Sequence, residues 1–191
     1  MAVTKFYPCN ALILDATQDQ AIVGTEGIED TWASTKQSYA SSDILLDNTV
    51  PSMTDSYIRV ELNKGFEYNG THRSELRSHW NKTYEGWVSF RIYFPVGYIS
   101  DDATEILHQM HAIGGSPQIS LQNRNNVLFF QTNSGTFADD ITEQYPIGDV
   151  VTGEWIDIIH NYRLNQVDGF LKVWRNGVQV LDYAGTLGFS D

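Results

Sequence analysis

The 191-residue sequence holds a single cysteine, Cys9. One thiol cannot close an internal disulfide, so no disulfide framework staples this chain. Cys9 reads as a small apolar residue. Basic residues are scarce as well: 12 Lys and Arg stand against 24 Asp and Glu, a net charge of −12. Nucleic-acid binding wants a basic footprint, and so does an anionic membrane surface; both partners are disfavoured. A polyanionic ligand would meet a repulsive overall field. Screening confines that field to about 8 Å at physiological salt, so a local basic cleft can outweigh it. No apolar run is long enough to cross a bilayer. The start, MAVTKFYPCNALILDA, lacks the basic n-region and long apolar stretch of a signal peptide.

Several chemical signatures are also missing. There is no G-x-S-x-G elbow and no phosphate loop. No H-E-x-x-H or Cys/His cluster supports zinc. The closely spaced carboxylate pair of a retaining glycosidase is not evident on any strand. Asp101-Asp102 and Asp139-Asp140 are adjacent, so in extended chain their side chains point apart; they read as loop residues. No cofactor is expected, and a structural Ca²⁺ on loop carboxylates is the one metal reading left open.

What is present favours β structure. Aromatics make up 13% of the chain, and β-branched residues recur among scattered glycines. The length suits one domain, residues 1–191. Residues 1–56 read as a loop-rich wrapping segment, and 57–191 as the main strands. YIRVEL (57–62) and THRSELRSHW (71–80) alternate. GWVSFRIYF (86–94) puts Val88, Phe90, Ile92 and Phe94 on one core face. EILHQMHAI (105–113), PQISLQN (117–123) and VLFFQT (127–132) follow, then a loop at 133–153 and a strand at 155–164. FLKVW (170–174) and VQVLDY (178–183) flank Asn176-Gly177, a type I′ hairpin signal. Asp168-Gly169 marks another turn. No segment sustains a helical period. The expected architecture is an antiparallel β-sandwich or jelly roll.

Three constellations could carry chemistry. In HRSELR (72–77) the alternation puts Arg73, Glu75 and Arg77 in one row. That row is either a charge ladder on a solvated face or a guanidinium pair braced by Glu75 to grip a carboxylate bidentately. In QMH, Gln109 and His111 share a face, with Met110 turned inward. Glutamine offers a neutral amide, and histidine exchanges a proton near neutrality. In the next strand Gln118, Ser120 and Gln122 line a polar face, which suits a sugar surface or a plain exterior.

HRSELR followed by QMH resembles the concanavalin A-like polysaccharide lyases. Alginate lyases of the jelly-roll type carry R-S/T-E-L/V-R and Q-I/V-H strands, and the heparin lyase I and glucuronan lyase group has similar segments. GEWIDIIHNYRLNQVDGFLKVWRNGVQVLDYAG (153–185) looks more like this second group. The resemblance covers residues 57–189. It implies a concanavalin A-like jelly roll and β-elimination on a uronic-acid polysaccharide. By that resemblance Arg73 and Gln109 grip the carboxylate and His111 is the base or assists it. Glu75 and Arg77 line or brace the cleft, and Gln118 and Gln122 of the polar face are the further substrate-binding candidates. The implied partner is an acidic polysaccharide and the implied setting extracellular or virion-associated; the oligomeric state stays open. The family's C-terminal Y-F-K-x-G-x-Y strand has no counterpart before the closing GTLGFSD, and Tyr93, Tyr98, Tyr162 and Tyr183 are the tyrosines in reserve. Two other readings stand beside the lyase: a carbohydrate-binding domain without turnover, and a structural jelly-roll subunit.

Overall fold

The computed structural model describes residues 3–8, 37–38, 44–47, 57–62, 74–75, 84–111 and 115–190, with side chains for 84–111 and 115–190. The chain is all-β, with no helix among the described residues. It divides into two compact units. One comprises Met1–Asn81, Phe90–Tyr98 and Thr152–Trp155; the other comprises Lys82–Ser89, Ile99–Val151 and Ile156–Asp191.

In the first unit, β1 (Val3–Pro8) and β3 (Ile44–Asp47) flank β4 (Tyr57–Leu62), both antiparallel to it. The short strands β2 (Gln37–Ser38) and β5 (Ser74–Glu75) pair with each other, Gln37 opposite Glu75. β6 (Glu85–Tyr93) begins in the second unit and ends in the first, where Tyr93 pairs with Phe6. Its alternation is the expected one: Val88 and Ile92 are buried, Phe90 is half-buried, and Phe94 just beyond is buried. Period-two patterning places those side chains on one face.

The second unit holds β7 (Glu105–His111), β8 (Pro117–Arg124), β9 (Val127–Gly135) and β10 (Asp140–Asp149). It also holds β11 (Trp155–Arg163, from Ile156 on), β12 (Asn165–Arg175) and β13 (Val178–Phe189). β7–β8–β9–β10 is a run of antiparallel neighbours, as is β11–β12–β13. The end of β13 lies parallel to β9, Gly188 beside Ser134. Two tight turns set the register. Asn176 and Gly177 have φ of 49° and 77°, the positive pair a type I′ turn needs. Asn125 and Asn126, at 53° and 63°, do the same between β8 and β9.

One expectation changes. Residues 133–153 are mostly strand, because β9 runs to Gly135 and β10 follows. β10 is exposed along most of its length and breaks register at Pro146/Gly148. An edge strand tolerates that proline and lacks the apolar alternation that reveals core strands. Asp168-Gly169 falls, as expected, in a turn: Arg163 and Phe170 are antiparallel partners, so the chain reverses within 164–169. The same residues bulge against β13, and the Asn165 Oδ1 accepts the backbone N–H groups of Val167 at 2.7 Å and Asp168 at 3.2 Å.

Candidate active site

The β7–β10 sheet sorts its residues by parity. On one face lie Ile119, Leu121, Leu128 and Phe130, all fully buried. Register puts Met110 opposite Ile119 and His108 opposite Leu121, so both join that face. There the sheet meets β11: the His160 ring stands 5.3 Å from Phe130 and 5.4 Å from His108. Burial drives the His108 pKa down to about 4, and burial with the neighbouring His108 holds His160 well below the ordinary range. Both rings are therefore neutral at neutral pH, and they serve the core.

The opposite face is polar. Gln109 pairs with Ser120, Ser120 with Gln131, and Gln131 with Gln144, one row across four strands. The Gln144 Nε2 donates to the Gln131 Oε1 at 3.0 Å, and the Arg124 guanidinium donates to the Gln144 Oε1 at 3.3 Å. A flanking row carries Asn133 and Thr142, whose hydroxyl donates to the Asn133 Oδ1 at 2.6 Å. Asn133 in turn donates to the Pro117 carbonyl. Ser120 and Asn133 are buried, while the half-buried Gln109 and Gln131 and the exposed Thr142 and Gln144 offer neutral donors and acceptors at strand spacing, the chemistry that suits sugar hydroxyls and a carboxyl group.

The expected site residues distribute as follows. Gln109 is half-buried and makes no side-chain hydrogen bond among the described residues. His111 is exposed two positions further along β7. A register shift separates Met110 from His111 because β8 carries the extra residue there. Met110 is half-buried on the core-side face. Gln118 is half-buried, and Gln122 is 4% exposed with its Nε2 donating to the Ser120 Oγ at 2.7 Å. Glu75 lies in β5, in the other unit. Arg73 and Arg77 lie outside the described residues, as does Cys9.

Of the tyrosines in reserve, Tyr162 is fully buried beside His160. Tyr183 is half-buried and its hydroxyl donates to the Thr186 carbonyl at 2.7 Å. Tyr93 and Tyr98 pack on Trp155 and Phe94. Tyr145, opposite Phe130, stands on the apolar side of the sheet; burial and its bond to Glu143 raise its pKa. Sequence reading missed Gln131, Gln144, Asn133 and Thr142. The period-two placement of Thr142 and Gln144 within DITEQYPIGD was the available signal. Asp101 and Asp140 hold local bonds, Asp101 from the Ala103 N–H and Asp140 from the Ser116 hydroxyl. Among the described residues no group of three His, Cys, Asp or Glu could hold a metal.

An all-β chain with a polar row backed by an apolar core is a frame on which carbohydrate-active enzymes are built. The polysaccharide lyase family model matches residues 25–191, so the chain belongs to that family and is a lyase acting on polysaccharide. No curated protein matches it. Its fold is similar to that of the endo-β-1,4-glucuronan lyase from the fungus Trichoderma reesei. The two are 15% identical, with a TM-score of 0.69, covering 85% of this chain and 75% of that one. No helix of the described residues is long and apolar enough to cross a membrane.

Proposed function

We propose that the protein cleaves a uronic-acid-containing polysaccharide by β-elimination, on a concanavalin A-like jelly-roll sandwich, outside the cell. Family membership supplies the reaction class. The similarity of fold to a glucuronan lyase supports a uronate substrate. The observation that carries the reading is the row headed by Gln109, with exposed His111 on the same strand. A polymer too large to enter a cell is cut where it lies, which supports the extracellular setting.

The chemistry needs three things. The proton on C5 is weakly acidic while the adjoining carboxylate is charged. Hydrogen bonds and positive charge on that carboxylate stabilise the enolate-like anion that develops as the proton leaves. Gln109 and Arg73 take this role. His111 takes the C5 proton, or assists the group that does. The C4–O4 bond then breaks, its electron pair goes to O4, and a C4=C5 double bond remains. The departing O4 takes up a proton. Glu75, Arg77 and Gln118 bind substrate, and Gln122 holds Ser120 in the polar row.

The conjugated C4=C5 product absorbs in the ultraviolet. Folded protein mixed with glucuronan, alginate or heparin-type chains should raise that absorbance on at least one of them. A flat trace on all three would overturn the uronate reading.

A further inference from the structure

A second surface lies on the β6–β11–β12–β13 side of the same unit, facing away from His160. Register places Asn161, Lys172 and Asp182 in one row and Arg163, Phe170 and Ala184 in the next, with Trp174 opposite Ile159. Trp87 of β6 stacks on Trp174, ring centroids 5.4 Å apart and planes 27° from parallel, yet Trp87 is 63% exposed. The two indoles border an open groove of about 800 Å³, whose lining includes Asn161, Phe170 and the Lys172–Asp182 pair. Val167 stands at its margin, 88% exposed.

A contiguous exposed apolar surface rimmed by polar groups marks an interaction site, and the stacked indoles with Phe170 form one. Its flat apolar face with polar groups at the edges suits a ligand that is apolar on one side and hydrogen-bonding at its rim. A pyranose ring is such a ligand, with C–H groups on its face and hydroxyls around it. Charge decides the kind of sugar. Lys172 is already 3.5 Å from Asp182, and Arg163 binds both Glu85 at 2.8 Å and Asp168 at 2.9 Å. Each of these cations is matched by a carboxylate, so the groove has little to offer a uronate. Asn161, tied to the Gly86 carbonyl at 2.9 Å, adds a neutral amide.

We infer that this face binds an uncharged polysaccharide chain, stacked on Trp87 and Trp174, and so anchors the enzyme to a neutral matrix polymer. The inference stands on family membership and this groove, independent of the uronate reading. Native gels containing hydroxyethyl cellulose, xylan or galactomannan test it. At least one should slow the wild-type protein, and Trp87→Ala should weaken that retardation about tenfold or more, the usual effect of losing an aromatic anchor. Trp87→Phe should keep part of it. Turnover of short uronate oligosaccharides should be unchanged, and thermal unfolding shows whether each variant is folded. The inference is overturned if none of the three polymers slows the wild type, or if Trp87→Ala migrates as wild type does. It is also overturned if Trp87→Ala abolishes retardation by alginate alone, or alters only self-association in sedimentation.

Discussion

His108 and Gln109 are neighbours in sequence and stand on opposite faces of β7. On one side, an imidazole is held neutral among Leu121, Phe130 and His160. On the other, an amide heads a row of hydroxyl and amide groups across β8, β9 and β10, with Gln122 bonded to Ser120 and Gln144 to Gln131. One backbone ladder supports both. The contrast teaches that burial alone does not mark a core here. Ser120 and Phe130 are both 0% exposed. One belongs to a network that satisfies its members, and the other to close packing that excludes polar groups.

The largest expected effect comes from damaging the apolar side. Phe130→Ala removes a fully buried ring and should cost about 3–5 kcal/mol in urea unfolding. A loss under about 1 kcal/mol would mean that this face is not the unit's core.

Damage to the polar side should leave stability nearly intact and strike turnover. Gln109→Ala and His111→Ala should each lower the rate of ultraviolet product formation by about 10²–10³-fold, with unfolding midpoints close to wild type. Retained rates would remove both residues from the reaction.

The smallest effect sharpens the contrast between the histidines. His108 has its pKa lowered to about 4, while in the unfolded chain it is near 6.5. Between those values the unfolded chain binds the proton that the folded ring refuses, so stability rises with pH across this window. The contribution is complete above about pH 6.5 and is lost as pH falls towards 4, by on the order of 1–3 kcal/mol. Urea midpoints at neutral and acid pH measure it, and His108→Leu should flatten part of the slope. An unchanged slope in that variant would show that His108 is not shut away.

Much of the strand order was legible. The alternation of Val88, Phe90, Ile92 and Phe94 and the Asn176-Gly177 pair each carry a local physical signal, and β6 and the β12–β13 hairpin follow them. β10 was not legible, because an exposed edge strand has no core face to print on its sequence. Asp168-Gly169 marked the turn from β11 into β12, but only pairing with β13 shows that the same residues also form a bulge. At the site, the motif QMH marked Gln109 and His111, but Gln131 and Gln144 come from strands with no motif. They joined the row through register alone.

The sequence by itself determined that the chain is β-rich and acidic, where most of its later strands run, and which family it resembles. These follow from composition and from a period of two that any extended chain obeys. Which polar residues stand side by side, and that the His108 and His160 rings meet while His111 is exposed, was decided only by the tertiary structure. Strand register and the packing of one face on another are long-range choices, and no local pattern of residues encodes them.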